Sequence, residues 1–440
     1  MGLGLAIGCG LAGGRGMNAG LRAEYKQTEV GVIPEDWGVA SIGSLCKAVL
    51  DCHHSTPVWT TSGEVVIRNQ NIRDGILDLS KPSYTDARHY EKRTRRATPT
   101  YGDLVITREA PMGLACMIPQ GLKCCLGQRM VLLRPDSTAI ETSYLLHSIL
   151  SEPVQRAISV AGGTGSTVAN LRIPVLKGLL IAAPSPPEQR AIAAALSDAD
   201  ALLAGLDHLI AKKRDLKQAA MQQLLTGQTR LPGFQGQWVA RRLGSAGKCL
   251  RGVSYHGDAD LSAHDSAKTK RLLRSNNVQA STIVTTDVQY VNAERVSMQQ
   301  ILHRSDILIC MANGSKALVG KAGLFDMDDG HDYTFGAFMG CFRTGGGDAD
   351  STFVFYLFQT GRYRDFVNDL LAGSSINNLK PSSIESLEFA FPPMAEQTAI
   401  AAVLTDMDAE LTTLEARRNK TRALKQAMMQ ELLTGRIRLV

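Results

Sequence analysis

The sequence predicts a mixed α/β protein in which two pseudo-symmetric globular bodies are each followed by a long helix, the two helices packing against one another. Three observations carry this expectation. A gap-free repeat closes each half of the chain, the repeat carries a coiled-coil spacing of apolar residues, and short apolar runs bounded by turn residues fill the segments before it. At 440 residues the chain is also long for a single hydrophobic core.

The repeat is the firmest of the three. Residues 188–231 align on residues 396–439 at an offset of 208, with about 26 of 44 positions identical. Glu188-Gln189 falls on Glu396-Gln397, Leu216-Lys217-Gln218-Ala219 on Leu424-Lys425-Gln426-Ala427, and Leu224-Leu225-Thr226-Gly227 on Leu432-Leu433-Thr434-Gly435. The likeness extends backwards more faintly. Trp37 echoes Trp238, Arg68 and Asn71 echo Arg274 and Asn277, and Asp103-Leu104-Val105-Ile106 echoes Asp306-Ile307-Leu308-Ile309. Each half is a divergent body followed by a near-identical tail, which is the mark of a duplication.

The tails read as helices. Ile192, Leu196, Ala199, Leu203, Leu206 and Ile210 step by fours and threes, as do Ile400, Leu404, Met407, Leu411 and Leu414, which is the seam spacing of a coiled coil. The seam then shifts register and resumes at Leu216, Ala220 and Leu224, and at Leu424, Met428 and Leu432. Ser185-Pro186-Pro187-Glu188 has the form of a capping box, and Gly227 and Gly435 are natural stops. A helix over 188–225 is about 57 Å long at ~1.5 Å per residue, too long to bury itself on one small body. Packing of the two copies on each other makes a spacer between two heads.

The bodies read differently. Residues 102–107 and 305–310 are apolar runs between turn signals, typical of buried strands, and 142–149 and 351–359 read as short helices. The expected boundaries are an N-terminal extension over 1–20, a first body over 21–184, a first spacer helix over 185–230, a second body over 231–391 and a second spacer helix over 392–440. The extension is Gly-rich and faintly apolar, lacks the basic start of a secretory signal, and is expected to be disordered, with Met17 an alternative start.

Composition narrows the function classes. The chain is 44% hydrophobic and 20% charged, ordinary for a globular protein, and no apolar stretch reaches the ~20 residues of a membrane span. Aromatics stand at 5%, which argues against a surface built mainly for base stacking. The net charge of +6 favours a polyanionic partner only mildly, but it is clustered in two runs, 88–96 and 268–274. The nine cysteines include no CxxC pair and read as reduced thiols of a cytosolic protein, without metal.

Catalytic machinery is not found. The stretch 314–322 resembles a phosphate-binding loop, but its second glycine comes one residue late and Ala322 offers no hydroxyl for Mg²⁺. No GxGxxG follows a strand. Glu24-Tyr25-Lys26 lacks the upstream acid of a nuclease metal site, and Asp328-Asp329-Gly330-His331-Asp332 reads as a solvated turn. The chain reads as one that binds and does not catalyse.

A body, then Pro-Pro-x-Glu-Gln-x-x-Ile-Ala, then a long helix ending Leu-Lys-Gln-x-x-Met-Gln-x-Leu-Leu-Thr-Gly, all repeated once, resembles the DNA-specificity subunit of type I restriction-modification systems. Gly31-Val32-Ile33-Pro34-Glu35-Asp36-Trp37 and Leu231-Pro232-Gly233-Phe234 look like that family's approaches to its two recognition domains. The resemblance covers nearly everything after residue 20. It implies that each body is a target-recognition domain reading one half of a split, asymmetric site on double-stranded DNA. It implies that the two helices form an antiparallel coiled coil that sets the gap. It also implies two methyltransferase subunits and a restriction/motor subunit as partners in the cytoplasm. S-adenosylmethionine, ATP and Mg²⁺ would be used by those partners, with no cofactor in this chain.

Arg and Lys suit guanine edges, Asn and Gln suit adenine, and cations hold phosphates. The candidate readers are Arg68, Asn69, Gln70, Asn71 and Arg108 in the first body, with Lys92, Arg93, Arg95 and Arg96 on phosphates. In the second body they are Arg274, Asn276, Asn277 and Gln279, with Lys268, Lys270, Arg271 and Lys316 on phosphates. Because Asn71 and Asn277 occur in both bodies, a purely structural turn role stands equally open for them. The loops at 163–166 and 373–375 are candidates for close approach to DNA or a partner. Two other readings remain: a stand-alone DNA-binding or scaffold protein, and a divergent nuclease.

Overall fold

The computed structural model describes residues 25–109, 111–162, 170–345, 347–372 and 377–439. The expected extension over 1–20 and the loops 163–166 and 373–375 lie outside them. The chain divides into two compact units, one formed by residues up to 205 together with 417–440, the other by Leu206–Ala416. The division runs through the helices Pro186–Leu224 and Met394–Leu432, each of 39 residues, so the expected spacer segments 185–230 and 392–440 are each shared between units.

In the first unit the head is built on a four-stranded antiparallel sheet in the order Ala115–Met117, Leu104–Thr107, Met130–Pro135, Cys46–Asp51. Leu104–Thr107 is buried throughout because it lies inside the sheet and both its faces are covered. Its alternate side chains enter different layers, as strand geometry requires. Leu104 and Ile106 join Trp37, Val131, Leu133 and Tyr144 on one side, and Val105 joins Cys116, Met130 and Leu132 on the other. A second sheet pairs Cys124–Leu126 in parallel with Glu64–Ile67, which also pairs with Tyr84–Thr85. The helix expected at 142–149 runs Thr142–Leu150.

The second unit repeats this plan. Its four-stranded sheet runs Ala322–Leu324, Ile307–Cys310, Met339–Thr344, Gly247–Arg251. Thr269–Leu273 pairs in parallel with Tyr333–Phe335 as the counterpart of the second sheet. The alternation also recurs, with Ile307 and Ile309 in one layer and Leu308 and Cys310 in the other. A buried carboxylate fixes each frame. Asp103 takes Arg134 in a two-pronged pair at 2.8 and 2.7 Å, and Asp306 takes Arg343 at 2.8 and 2.6 Å.

Each head closes on the start of one long helix and the end of the other. Ile192, Leu196, Leu432 and Leu433 complete the first core, and Met221, Leu224, Leu225, Ile400 and Leu404 complete the second. The paired segments are antiparallel. In the first unit Glu188 meets Arg438 and Asp200 meets Lys425. In the second, Lys213 meets Glu410, Lys217 meets Asp408 and Arg230 meets Glu396. In both units the partner number falls as the first number rises.

The seam departs from expectation in one place. Ile192, Leu196, Leu203, Leu206, Leu224, Ile400, Leu404, Leu411 and Leu432 are buried and Leu414 is half-buried, but Leu216 and Leu424 are 47% and 59% exposed. The inward positions there belong to Lys217 and Lys425, whose ammonium groups pair with Asp408 and Asp200, each at 2.5 Å. The stem of a lysine covers apolar surface while its head finds a carboxylate, so the neighbouring leucine is turned outward. The expected capping box is also corrected. Glu188 is fully buried and receives the Trp37 indole N–H at 2.9 Å and the Arg438 guanidinium at 2.8 Å. The helix stops hold: Gly435 has φ +69°, and a Cβ there would stand 2.5 Å from the ring of Pro34. No helix among the described residues is long and apolar enough to cross a membrane.

Candidate nucleic-acid interface

Asn71 and Asn277 do the same structural job. The Asn71 side chain accepts from Arg68 N at 3.0 Å and donates to Asp78 O at 3.0 Å. That of Asn277 accepts from Arg274 N at 2.8 Å and donates to Val284 O at 2.9 Å and Asp287 O at 3.0 Å. Both are buried, so neither amide is offered to a base; the reader role is corrected to that of a turn clamp. What the clamps hold is a short 3-10 turn, Asn69–Asn71 or Ser275–Asn277, leading into a tight hairpin. The hairpin tips are left-handed. Asp74 and Gly75 have φ +51° and +86°, while Ala280 and Ser281 have +47° and +65° without a glycine to relieve them.

The first basic run falls on the helix Ala87–Thr94, whose start is capped by Asp86 accepting from His89 N at 2.8 Å. Lys92, Arg95 and Arg96 are exposed on it or just after it. Arg93 is not: it turns inward and donates to the carbonyls of Leu126, Ser55 and His53 at 2.8, 2.9 and 3.0 Å. The phosphate role expected of Arg93 is therefore corrected, because its donors knit the head together from inside. Arg108 is also engaged, with Asp51 at 3.0 Å and Leu171 O at 3.0 Å. Arg68 lies over the half-exposed ring of Trp59, 4.7 Å from its centroid, and Gln70 is exposed beside Asn69.

The second run lies on the strand Thr269–Leu273 and is largely compensated. Lys270 pairs with Asp332, and Arg271 with Asp265 at 2.9 Å, Asp329 at 3.2 Å and the Tyr333 hydroxyl at 3.0 Å. The expectation that Lys270 and Arg271 stand ready for phosphates is corrected by these aspartates, of which Asp329 and Asp332 lie about 60 residues away in the sequence and Asp265 six. Arg274 and Asn276 share Asp287 at 3.1 and 2.8 Å, and Gln279 donates to Asn276 O at 3.0 Å. Lys268 and Lys316 remain exposed.

Several residues beside these loops stand outside the motifs and basic runs of the sequence. Trp59 is one. Arg129, with φ +70°, pairs with Glu109 at 2.9 Å, and Glu109 also receives Asn170 at 3.0 Å. Phe338 is another, 70% exposed. Extending the repeat through Met130 and Met339 would have aligned Arg129 with Phe338 and marked the position as divergent.

Nothing among the described residues gathers three His, Cys, Asp or Glu as a metal would require. Burial pushes the Cys124 and Cys116 thiols up to about 12, so they are packing residues and not nucleophiles.

Fold and surface thus define a duplicated protein whose two heads share a frame and differ at their loops. The family described as the type I restriction modification DNA specificity domain matches residues 34–212 and 262–422, and the chain belongs to it. The EcoKI specificity subunit of Escherichia coli K12 is 30% identical over 200 residues, which cover 46% of this chain and 42% of that relative. The match thus spans less than half of that relative's length. A putative MjaX specificity subunit of Methanocaldococcus jannaschii is 23% identical over 427 residues, 94% of this chain and 96% of its own. In fold, the crystal structure of a type I restriction-modification S subunit from M. genitalium is similar at a TM-score of 0.60 and 16% identity, covering 94% of this chain and 98% of that one.

Proposed function

We propose that this chain is the DNA-reading subunit of a type I restriction-modification complex, each head reading one half of a split, asymmetric site. The observation that carries it is the shared frame with divergent loops. The Asn71 and Asn277 clamps and the Asp103–Arg134 and Asp306–Arg343 pairs superimpose in role, while the side chains they present differ. A site read by two such heads is bipartite without being palindromic.

The long helices act as the spacer in this reading, fixing the gap between half-sites and so raising the effective concentration of the second head once the first is seated. Two methyltransferase subunits and a restriction/motor subunit dock on the chain in the cytoplasm. S-adenosylmethionine, ATP and Mg²⁺ serve those subunits, and this chain supplies recognition alone.

The test is to express the chain with a methyltransferase subunit of its own system and map methylated adenines in the host DNA. One split motif is the expected result. Exchanging the first head should alter only one half of it; alteration of both halves, or DNA cleavage by the pure chain with Mg²⁺, would overturn the reading.

A further inference from the structure

We propose that Phe338 is a base-reading residue of the second head, making apolar contact with the 5-methyl group of a thymine at a position where the first head presents Arg129. The inference rests on the DNA-reading function proposed above and adds a residue and a chemistry to it.

The two positions are equivalent by their backbone bonds. The Arg129 carbonyl accepts from Arg108 N at 2.9 Å, and the Phe338 carbonyl accepts from Met311 N at 2.9 Å. Each immediately precedes the matching sheet strand, Met130–Pro135 or Met339–Thr344. Only Arg129 has a positive φ, at +70°. A conserved anchor therefore carries a charged, ion-paired side chain in one head and a phenyl ring in the other. Change at a fixed anchor is what two readers of different sequences need.

The exposure of Phe338 also calls for a partner. Of the eleven phenylalanines, ten are buried or half-buried and Phe338 is 70% exposed. Its loop is wired to the other candidate readers. Its carbonyl also accepts from Ala312 N at 3.1 Å, and the next residue, Asn313, donates through its side chain to Ser275 Oγ at 3.3 Å. Ser275 opens the turn that presents Asn276. An exposed apolar ring, on a loop whose backbone is bonded to the segment that carries Asn313, suits the major-groove edge of an A·T pair. There the thymine methyl is the apolar feature, and adenine N6 and N7 are the partners of an amide.

The test uses the full-length chain. A pool of randomised duplexes identifies the site it selects, and each thymine of that site is then replaced by deoxyuridine, which lacks only the methyl group. One thymine should prove sensitive, with wild-type affinity falling roughly five-fold or more, the size of a single-position loss. Phe338→Ala should lose as much on the unmodified site and show no further loss with deoxyuridine, and Phe338→Leu should keep part of the discrimination. Equal binding of thymine and uracil at every position, or unchanged affinity and preference in Phe338→Ala, would overturn the proposal. So would a Phe338→Ala loss that is equal with thymine and uracil, which is the behaviour of an inserted wedge. A wild-type chain that selects no sequence at all would instead overturn the DNA-reading function itself.

Discussion

The indole N–H of Trp37 donates to the buried carboxylate of Glu188 at 2.9 Å, whereas its counterpart in the second unit, Trp238 Nε1, finds no hydrogen-bond partner among the described residues. The duplication kept the tryptophan and changed its bond. Trp37→Phe should therefore destabilise by about 2 kcal/mol more than Trp238→Phe, since a hydrogen bond to a charged group is worth roughly 1.5–3 kcal/mol. Urea unfolding of the two variants measures the difference, and equal losses would contradict the assignment.

His147 gives the fold a pH dependence. Burial, with a smaller repulsion from Lys425, lowers its pKa to about 4, and Asp200, 4.0 Å away, is already paired with Lys425. An unfolded histidine titrates near 6.5, so between about 6.5 and 4 the unfolded chain binds the extra proton. Stability is full above 6.5 and falls as pH drops through this window, by about 2 kcal/mol at pH 5. His147→Gln should flatten that part of the curve in unfolding experiments at pH 7 and pH 5.

The hairpin tip of the second head stores strain. Ala280 has φ +47°, in the left-handed region that costs an L-residue roughly 1–2 kcal/mol. Ala280→Gly should stabilise by about 0.5–1 kcal/mol in thermal unfolding, after allowing for the added freedom of glycine in the unfolded chain. Gly75→Ala in the first head should do the reverse, because φ is +86° and the new Cβ would lie 2.8 Å from Leu150 Cδ1.

The first basic run separates fold from binding. Lys92→Ala and Arg95→Ala should leave stability unchanged and each lower the salt dependence of DNA affinity by about one charge. Arg93→Ala should instead destabilise by about 3 kcal/mol, because the three carbonyls it serves lose their donor in a buried place. Salt titrations of binding and urea unfolding on the same three proteins tell these outcomes apart.

Much of the site was hidden in the sequence for a common reason. Arg93 sits among cations that face solvent, and only the packing of the Ala87–Thr94 helix against Leu126 and Ser55 turns it inward. The charge of Lys270 and Arg271 is met by Asp332, Asp329 and Asp265, so a local count of basic residues overstated the free charge. Leu216 and Leu424 fit a helical spacing as well as Lys217 and Lys425 do, and the choice between them falls to Asp408 and Asp200 on the facing helix.

The amino-acid order alone determined the duplication, the two 39-residue helices and the α/β character of the heads. These follow from identity at a fixed offset and from side-chain periodicity, which are local properties of the chain. Tertiary structure decided which polar side chains are exposed, which pairs neutralise each other, and that each compact unit takes its helical half from two distant stretches. Those outcomes depend on contacts between residues as far as 410 positions apart, such as Tyr25 and Gly435, and no local pattern encodes them.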